Sequence, residues 1–207
     1  MGDSFELTFV AALAGYLAGS IPFGLLITRF AGVGDIRRIG SGNIGATNVL
    51  RTGRKGLAAA TLLLDALKGA LPVLLFTDAA APGGWPPLVA GFAAVIGHNF
   101  PVWLAFRGGK GVATTLGVLA GLAWPVGLAV AGVWLVTARV FRYSSLAALL
   151  ALTSAPFWML WLADGARAGL AAVLALIAVI RHMDNIRRLA AGEESKIGAK
   201  TGGTDPE

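Results

Sequence analysis

Three stretches of this sequence each combine glycines, amide or hydroxyl side chains and a cation, a mixture that suits a phosphate monoester. The first is Gly40-Ser41-Gly42-Asn43-Ile44-Gly45-Ala46-Thr47-Asn48, followed by Arg51 and by Gly53-Arg54-Lys55. Closely spaced glycines let successive backbone N–H groups face one point, and Ser41, Asn43, Thr47, Asn48 and Arg51 add donors around it. A flexible loop gathering cations on one side of a membrane is the plain alternative, against which the dense alternation of hydroxyl and amide residues argues for a site. The second stretch runs Gly97-His98-Asn99-Phe100-Pro101, then Phe106-Arg107-Gly108-Gly109-Lys110-Gly111, then Val112-Ala113-Thr114-Thr115 at the start of a new helix. Glycines and two cations at a helix N-terminus make an anion site through free N–H groups and the helix dipole. It is not a nucleotide-binding P-loop, because Leu104 stands where that motif requires its first glycine. His98, taken alone, fits a hydrogen-bonded interfacial residue as well as a catalyst.

The third stretch is His182-Met183-Asp184-Asn185-Ile186-Arg187-Arg188-Leu189, then Gly192-Glu193-Glu194-Ser195-Lys196. His182 and Asn185, three apart on a helix, share a face, with Arg188 one turn further on. A basic helix end at a membrane surface accounts for the arginines but not for the His and Asn. Asp65 and Lys68 lie three apart inside an apolar stretch, where a charge is costly, so the pair is expected to bond together and face the interior. No metal is expected: His98 and His182 are far apart, and neither has a ligand spacing around it. A cysteine count of zero excludes thiolate chemistry and disulfides.

The elements that position these residues are membrane spans. Of 207 residues 56% are hydrophobic and 14% charged, and the apolar residues fall in blocks at about 5–30, 57–76, 87–106, 112–138, 144–163 and 168–182. The acidic opening Met1 to Glu6 lacks a cleavage pattern, so the first block is expected to stay as an anchor. Trp124-Pro125 in the middle of the fourth block favours two short spans, about 112–122 and 124–138. The distribution of Lys and Arg decides between the two countings. Only a split fourth block puts Arg29, Arg37, Arg38, Arg51, Arg54, Lys55, Arg107, Lys110, Arg139, Arg142 and the C-terminal Arg181, Arg187, Arg188, Lys196 and Lys200 on one side, with Arg167 alone opposite. The expectation is one all-α, polytopic membrane domain over residues 1–207, with about seven spans, N-terminus outside and C-terminus cytoplasmic, ending in a flexible tail over 195–207. The formal charge of +6 is thereby read as topology rather than as a nucleic-acid surface. Trp85, Trp103, Trp124, Trp158 and Trp161 near the span ends are expected to form an interfacial belt.

Taken together the stretches G-S-G-N-I-G-A-T-N-V-L-R from Gly40, G-H-N-F-P-V-W-L-A-F-R-G-G-K-G-V-A-T from Gly97 and H-M-D-N-I-R-R-L-A-A-G-E-E-S-K from His182 resemble the PlsY-type acyl-phosphate:glycerol-3-phosphate acyltransferases of bacterial membranes. The resemblance implies a seven-helix enzyme of the bacterial inner membrane with its active site facing the cytoplasm. It would transfer an acyl group from acyl-phosphate to glycerol 3-phosphate, giving lysophosphatidic acid and phosphate, with no cofactor, coenzyme A or acyl carrier protein. It implies catalytic roles for Ser41, Arg51, Lys110, His182 and Asn185. Substrate-binding roles follow for Gly40, Asn43, Gly45, Asn48, Lys68, His98, Arg107, Gly108, Gly109, Thr114, Ser145, Arg188 and Glu194. The H-x-x-x-x-D acyltransferase signature is missing, since Trp103 and Arg187 stand five residues after the two histidines. Proximity and a reactive mixed anhydride would then supply the rate, with a substrate phosphate oxygen taking the hydroxyl proton. A transporter or flippase of a phosphorylated lipid is the other reading, and the one-sided clustering of polar stretches and the lack of an internal repeat speak against it.

Overall fold

The computed structural model describes residues 2–80 and 83–198, with the side chains of Gly2 to Ser4 and Asp78 left aside. Residues 199–207, most of the stretch read as a flexible tail, lie outside the described residues, as do Met1 and, in the connection near residue 80, Ala81 and Pro82. Among the described residues the secondary structure is helical throughout. The helices are α1 (Gly2–Ser20), α2 (Phe23–Phe30), α3 (Ala46–Leu50), α4 (Lys55–Ala79), α5 (Pro86–Asn99), α6 (Val112–Leu122), α7 (Trp124–Phe141), α8 (Ser144–Leu162), α9 (Gly165–Arg181) and α10 (Met183–Ala191).

The breaks follow local chemistry. The first apolar block divides at Ile21-Pro22, because proline has no N–H to continue the helical ladder. The third block was expected to run to residue 106, but α5 stops at Asn99: Pro101 disfavours the helical conformation of Phe100, and a 3-10 turn, Val102–Leu104, follows. The fourth block is split, as Trp124-Pro125 foretold. Ala123 is extended at φ −158° and ψ 97°, and Pro125 opens the first turn of α7. The two pieces are 11 and 18 residues long.

Five spans, counting α1 with α2 as one, are long and apolar enough to cross a bilayer, and α9 with α10, bent by 59°, makes a sixth. The outer surface is rich in large apolar side chains, with Phe9, Leu75, Leu128 and Phe157 each more than 60% exposed. Such a surface calls for lipid rather than water. Trp85, Trp103, Trp124 and Trp161 are exposed near helix ends, as an interfacial belt requires. Trp158 departs from that expectation and packs against the main core, its ring 5.7 Å from that of Trp161.

In lipid, helices associate through close packing rather than hydrophobic burial. A Cβ at Gly15 would run into the Ala90 carbonyl, one at Gly19 into the Ala94 carbonyl and one at Gly97 into the Tyr16 carbonyl, so α1 and α5 touch backbone to backbone. α4 and α6 do the same through Gly69, against the Thr114 carbonyl, and Gly117, against the Ala66 carbonyl. The main core, around Val73, Val95, Leu119, Leu152, Met159 and Leu174, joins α4, α5, α6, α8 and α9 below the polar loops.

Candidate active site

The Gly40 loop is shaped from within. Asp35 caps the 3-10 turn Ile36–Arg38 by accepting from the Arg37 N–H at 3.0 Å. Asn48, buried at 2% exposure, donates to the carbonyls of Ile36, Ile39 and Asn43 at 3.0, 2.9 and 2.8 Å, and its Oδ1 accepts from the Ser41 N–H at 3.0 Å. Asn43 Oδ1 accepts from the Gly45 N–H at 3.1 Å. Both asparagines were expected to bind substrate. The structure turns their described polar contacts to the loop's own backbone, because a loop this rich in glycine needs side chains to close its main-chain hydrogen bonds. Gly40, at φ +56°, is required on two counts: the left-handed conformation, and a Cβ there would lie 2.8 Å from Arg51 Cδ. Ser41 is left exposed at the loop's surface.

The second loop folds back on the end of α5. Gly108 N–H donates to the Asn99 carbonyl and Gly109 N–H to the His98 carbonyl, each at 3.1 Å. The His98 ring occupies the space a side chain on Gly109 would need. From α9, Arg181 clamps the other edge, donating to the Gly109 carbonyl at 2.8 Å and the Gly108 carbonyl at 3.1 Å. This fixes the approach of Lys110, while Arg107 points out, exposed.

In the third stretch Gly192, at φ +74°, ends α10 and turns the chain back, so that Glu194 meets the helix it has just left. Glu194 is a hub. One carboxylate oxygen accepts from Ser145 Oγ at 2.7 Å and Asn185 Nδ2 at 2.6 Å, and the other accepts from Arg188 Nε at 2.7 Å. Lys110 Nζ donates to Asn185 Oδ1. Arg51 joins the group by donating to Ser195 Oγ, and Thr47 shares a hydrogen bond with Ser144 at 3.0 Å. His182 Nδ1 lies 2.7 Å from the Ala178 carbonyl. A carbonyl only accepts, so Nδ1 carries the proton and Nε2 is left as an acceptor.

Three stretches far apart in the chain thus meet at one end of the bundle, with Lys110, Asn185, Arg188, Glu194 and Ser145 in a continuous network and Arg51 at its rim. Two expected binding residues lie elsewhere. Lys68 is buried at 4% exposure, paired with Asp65 at 2.7 Å and donating to the Ile21 carbonyl at 2.8 Å. It does so because a charge among apolar helices must be neutralised locally. Thr114 is fully buried on α6 where that helix meets α4, with its hydroxyl unpartnered among the described residues. Sequence reasoning in turn counted Arg181 only as a topology marker, since a basic residue at a helix end carries that signal first. Ser195 and Ile197 lie in the expected tail, yet Ser195 accepts from Arg51 and the Ile197 N–H donates to the Arg142 carbonyl at 2.6 Å.

Burial pushes the Lys110 ammonium down to about 8; Glu194 opposes the shift, while Arg188, Arg181 and Arg51 reinforce it. Partial burial raises the Glu194 carboxyl, but hydrogen bonds from Ser145, Asn185 and Arg188 outweigh it and hold the group below the usual carboxylate range. Around one carboxylate stand Lys110, Arg188, Arg181 and Arg51. The site therefore carries an excess of positive charge with amide and hydroxyl donors between, an arrangement that accepts a dianion.

The family model described as glycerol-3-phosphate acyltransferase matches residues 9–192. The chain belongs to the glycerol-3-phosphate acyltransferase family. Proteins named glycerol-3-phosphate acyltransferase from Rhodospirillum rubrum and Paramagnetospirillum magneticum are 61% and 62% identical to it, each match covering 92% of this chain and 91% and 94% of the relative. Among solved structures, the glycerol 3-phosphate form of the integral membrane acyltransferase PlsY superposes with a TM-score of 0.88 at 38% identity, covering 92% of this chain and 96% of that one. The lysophosphatidic acid form of PlsY gives 0.86 at 36% identity, covering 92% and 95%. Like PlsY, this member of the family is an integral membrane protein, helical throughout its described residues, and the family match takes in the first two polar stretches and the third as far as Gly192.

Proposed function

We propose that this chain transfers an acyl group from acyl-phosphate to glycerol 3-phosphate at the site built around Lys110 and Asn185. The observation that carries the reading is the union of three glycine-and-cation stretches into one positively charged, amide-rich site, in a chain whose relatives include PlsY crystallised in glycerol 3-phosphate and lysophosphatidic acid forms. Ser41, Arg51, Lys110, His182 and Asn185 hold the acceptor phosphate, with Arg188 and Glu194 fixing Asn185. The acceptor hydroxyl attacks the carbonyl carbon of the mixed anhydride, the new C–O ester bond forms, and the C–O bond to phosphate breaks. Inorganic phosphate leaves, and the hydroxyl proton passes to a phosphate oxygen of a substrate. Lys110, Arg107 and loop N–H groups stabilise the charge that develops, and alignment of two bound substrates supplies most of the rate.

The chain is a multi-pass protein of the bacterial inner membrane in this reading. It has seven spans, the short α6 counted among them, with the N-terminus outside and the site facing the cytoplasm. The basic residues of the converging loops support that orientation. No cofactor, coenzyme A or acyl carrier protein takes part. The test is acyl transfer by purified protein in detergent, given palmitoyl-phosphate and labelled glycerol 3-phosphate without thioesters or added metal. Labelled lysophosphatidic acid that is lost in Lys110→Ala is the expected result; no product from folded wild-type protein would overturn it in favour of transport.

A further inference from the structure

After Gly192 the chain turns back along the rim of the site, and the consecutive residues Glu194 to Ile197 are each held by different partners. Glu194 is gripped by Ser145, Asn185 and Arg188. Ser195 Oγ accepts from the guanidinium of Arg51, the residue that caps the end of α3. The Lys196 ammonium lies 5.8 Å from the centre of the Tyr143 ring, within the range of a cation–π contact. The Ile197 N–H donates to the Arg142 carbonyl at 2.6 Å, and Arg142 Nη2 donates back to the Ile197 carbonyl at 3.4 Å. Arg142 stands at φ +62° in the turn between α7 and α8. The segment is therefore a strap, tied to α3 through Arg51, to the start of α8 through Ser145 and to the α7–α8 turn through Arg142.

Ser195 holds a particular place on this strap. A hydroxyl is both donor and acceptor. Its oxygen receives Arg51, and no group among the described residues is shown accepting its proton. It follows Glu194 in the chain and sits on Arg51, one of three arginines whose charge acts on Lys110. A guanidinium only donates and a phosphate dianion chiefly accepts, so a hydroxyl between the two can bond to both at once. It also adds a donor to the site without adding charge. Ser195 and Lys196 are exposed, so their contacts compete with water and must offset the entropy of ordering the strap. A phosphate on Arg51 gives the hydroxyl an acceptor and shifts that balance toward the ordered strap.

We propose that Ser195 is a further contact of the acceptor phosphate, donating its O–H to a phosphate oxygen while its own oxygen receives Arg51, and that residues 194–197 are the strap that carries it there. This rests on the acyl-transfer reading above. The phosphate of the acceptor is untouched by the reaction, so the contact is made equally before and during transfer. It therefore sets how tightly glycerol 3-phosphate binds rather than how fast the bound substrates react.

The experiment titrates glycerol 3-phosphate into full-length protein in detergent by calorimetry, and measures KM and kcat with palmitoyl-phosphate as donor. Ser195→Ala is expected to raise both Kd and KM for glycerol 3-phosphate by about 10-fold or more, the scale of a hydrogen bond to a charged group. Its kcat stays within about twofold, and KM for palmitoyl-phosphate and the midpoint of thermal unfolding are unchanged. Ser195→Thr keeps the hydroxyl and stays within about threefold of the wild type in Kd. Ile197→Pro removes the N–H that the Arg142 carbonyl receives, and is expected to raise KM for glycerol 3-phosphate with Ser195 intact. Unchanged Kd and KM in Ser195→Ala overturn the proposal, as does an equal loss in Ser195→Thr or a lowered midpoint with Kd unchanged. Unchanged KM in Ile197→Pro overturns the strap. Wild-type protein that binds glycerol 3-phosphate and forms no product overturns the transfer reading instead, and the Kd of Ser195→Ala still decides the role of Ser195.

Discussion

In the proposed mechanism Lys110 is the residue on which the chemistry turns, and its environment makes a pH signature. Burial holds its ammonium near 8 rather than at the ordinary 10.5, so the cation is complete below about 8 and lost above it. If the cation binds phosphate, kcat/KM falls as pH rises through that value, and Lys110→Arg, which stays charged, flattens the fall. A bound dianion stabilises the ammonium, so the falling limb of kcat is expected at higher pH than that of kcat/KM. Removing the group by Lys110→Ala, or its partner by Asn185→Ala, is expected to lower kcat/KM about 100-fold or more in the same transfer assay, the scale on which a positioned charge donor acts. The types of these residues were legible in the sequence because glycine, amide and cation in one short stretch have few other uses. What each side chain does was less so. Asn48 reads as a ligand in one dimension and is a brace in three. Lys68 is held inside the bundle by Asp65 and the Ile21 carbonyl, and Thr114 follows Lys110 by four residues, yet its hydroxyl is buried where α6 meets α4. Arg181 does the reverse.

Among the elements, α1 and α5 approach so closely that their glycines tolerate no side chain. Gly19→Val would drive a methyl group into the Ala94 carbonyl and should destabilise the protein by about 1–3 kcal/mol, read as a lower midpoint of thermal unfolding in detergent. Gly132→Ala on α7, with nothing within 4 Å of the added atom, should leave that midpoint unchanged or raise it slightly. Gly109→Ala is different again, since the added carbon meets the His98 ring. Its expected effect is a loss of transfer activity greater than the loss of stability, because displacement of that loop moves Lys110. The helix breaks were legible where proline forced them, at Trp124-Pro125, and overlooked where proline followed a long apolar run, at Ile21-Pro22 and Phe100-Pro101. Hydropathy averages over a break that a single missing N–H creates. The glycine ridges were invisible to a pattern search for charge and periodicity, because their meaning lies in the partner helix.

The molecule as a whole brings its polar loops together at one end. The positive-inside pattern predicts that this end faces the cytoplasm, and the absence of cysteine makes the prediction direct to check. A single cysteine in Arg54→Cys should resist a membrane-impermeant thiol reagent in intact cells, and one in Asp164→Cys, at the other end of the bundle, should react; the opposite labelling would reverse the topology. The hydrogen bond from Arg51 to Ser195 has a consequence for how the protein comes into being. It joins residues 144 positions apart, one on the loop before α4 and the other beyond the end of α10. A chain emerging from the ribosome can therefore place its early helices in the bilayer long before the acceptor site proposed above is complete. On the proposed reading, transfer activity therefore waits until the residues after α10 have joined the loop before α4.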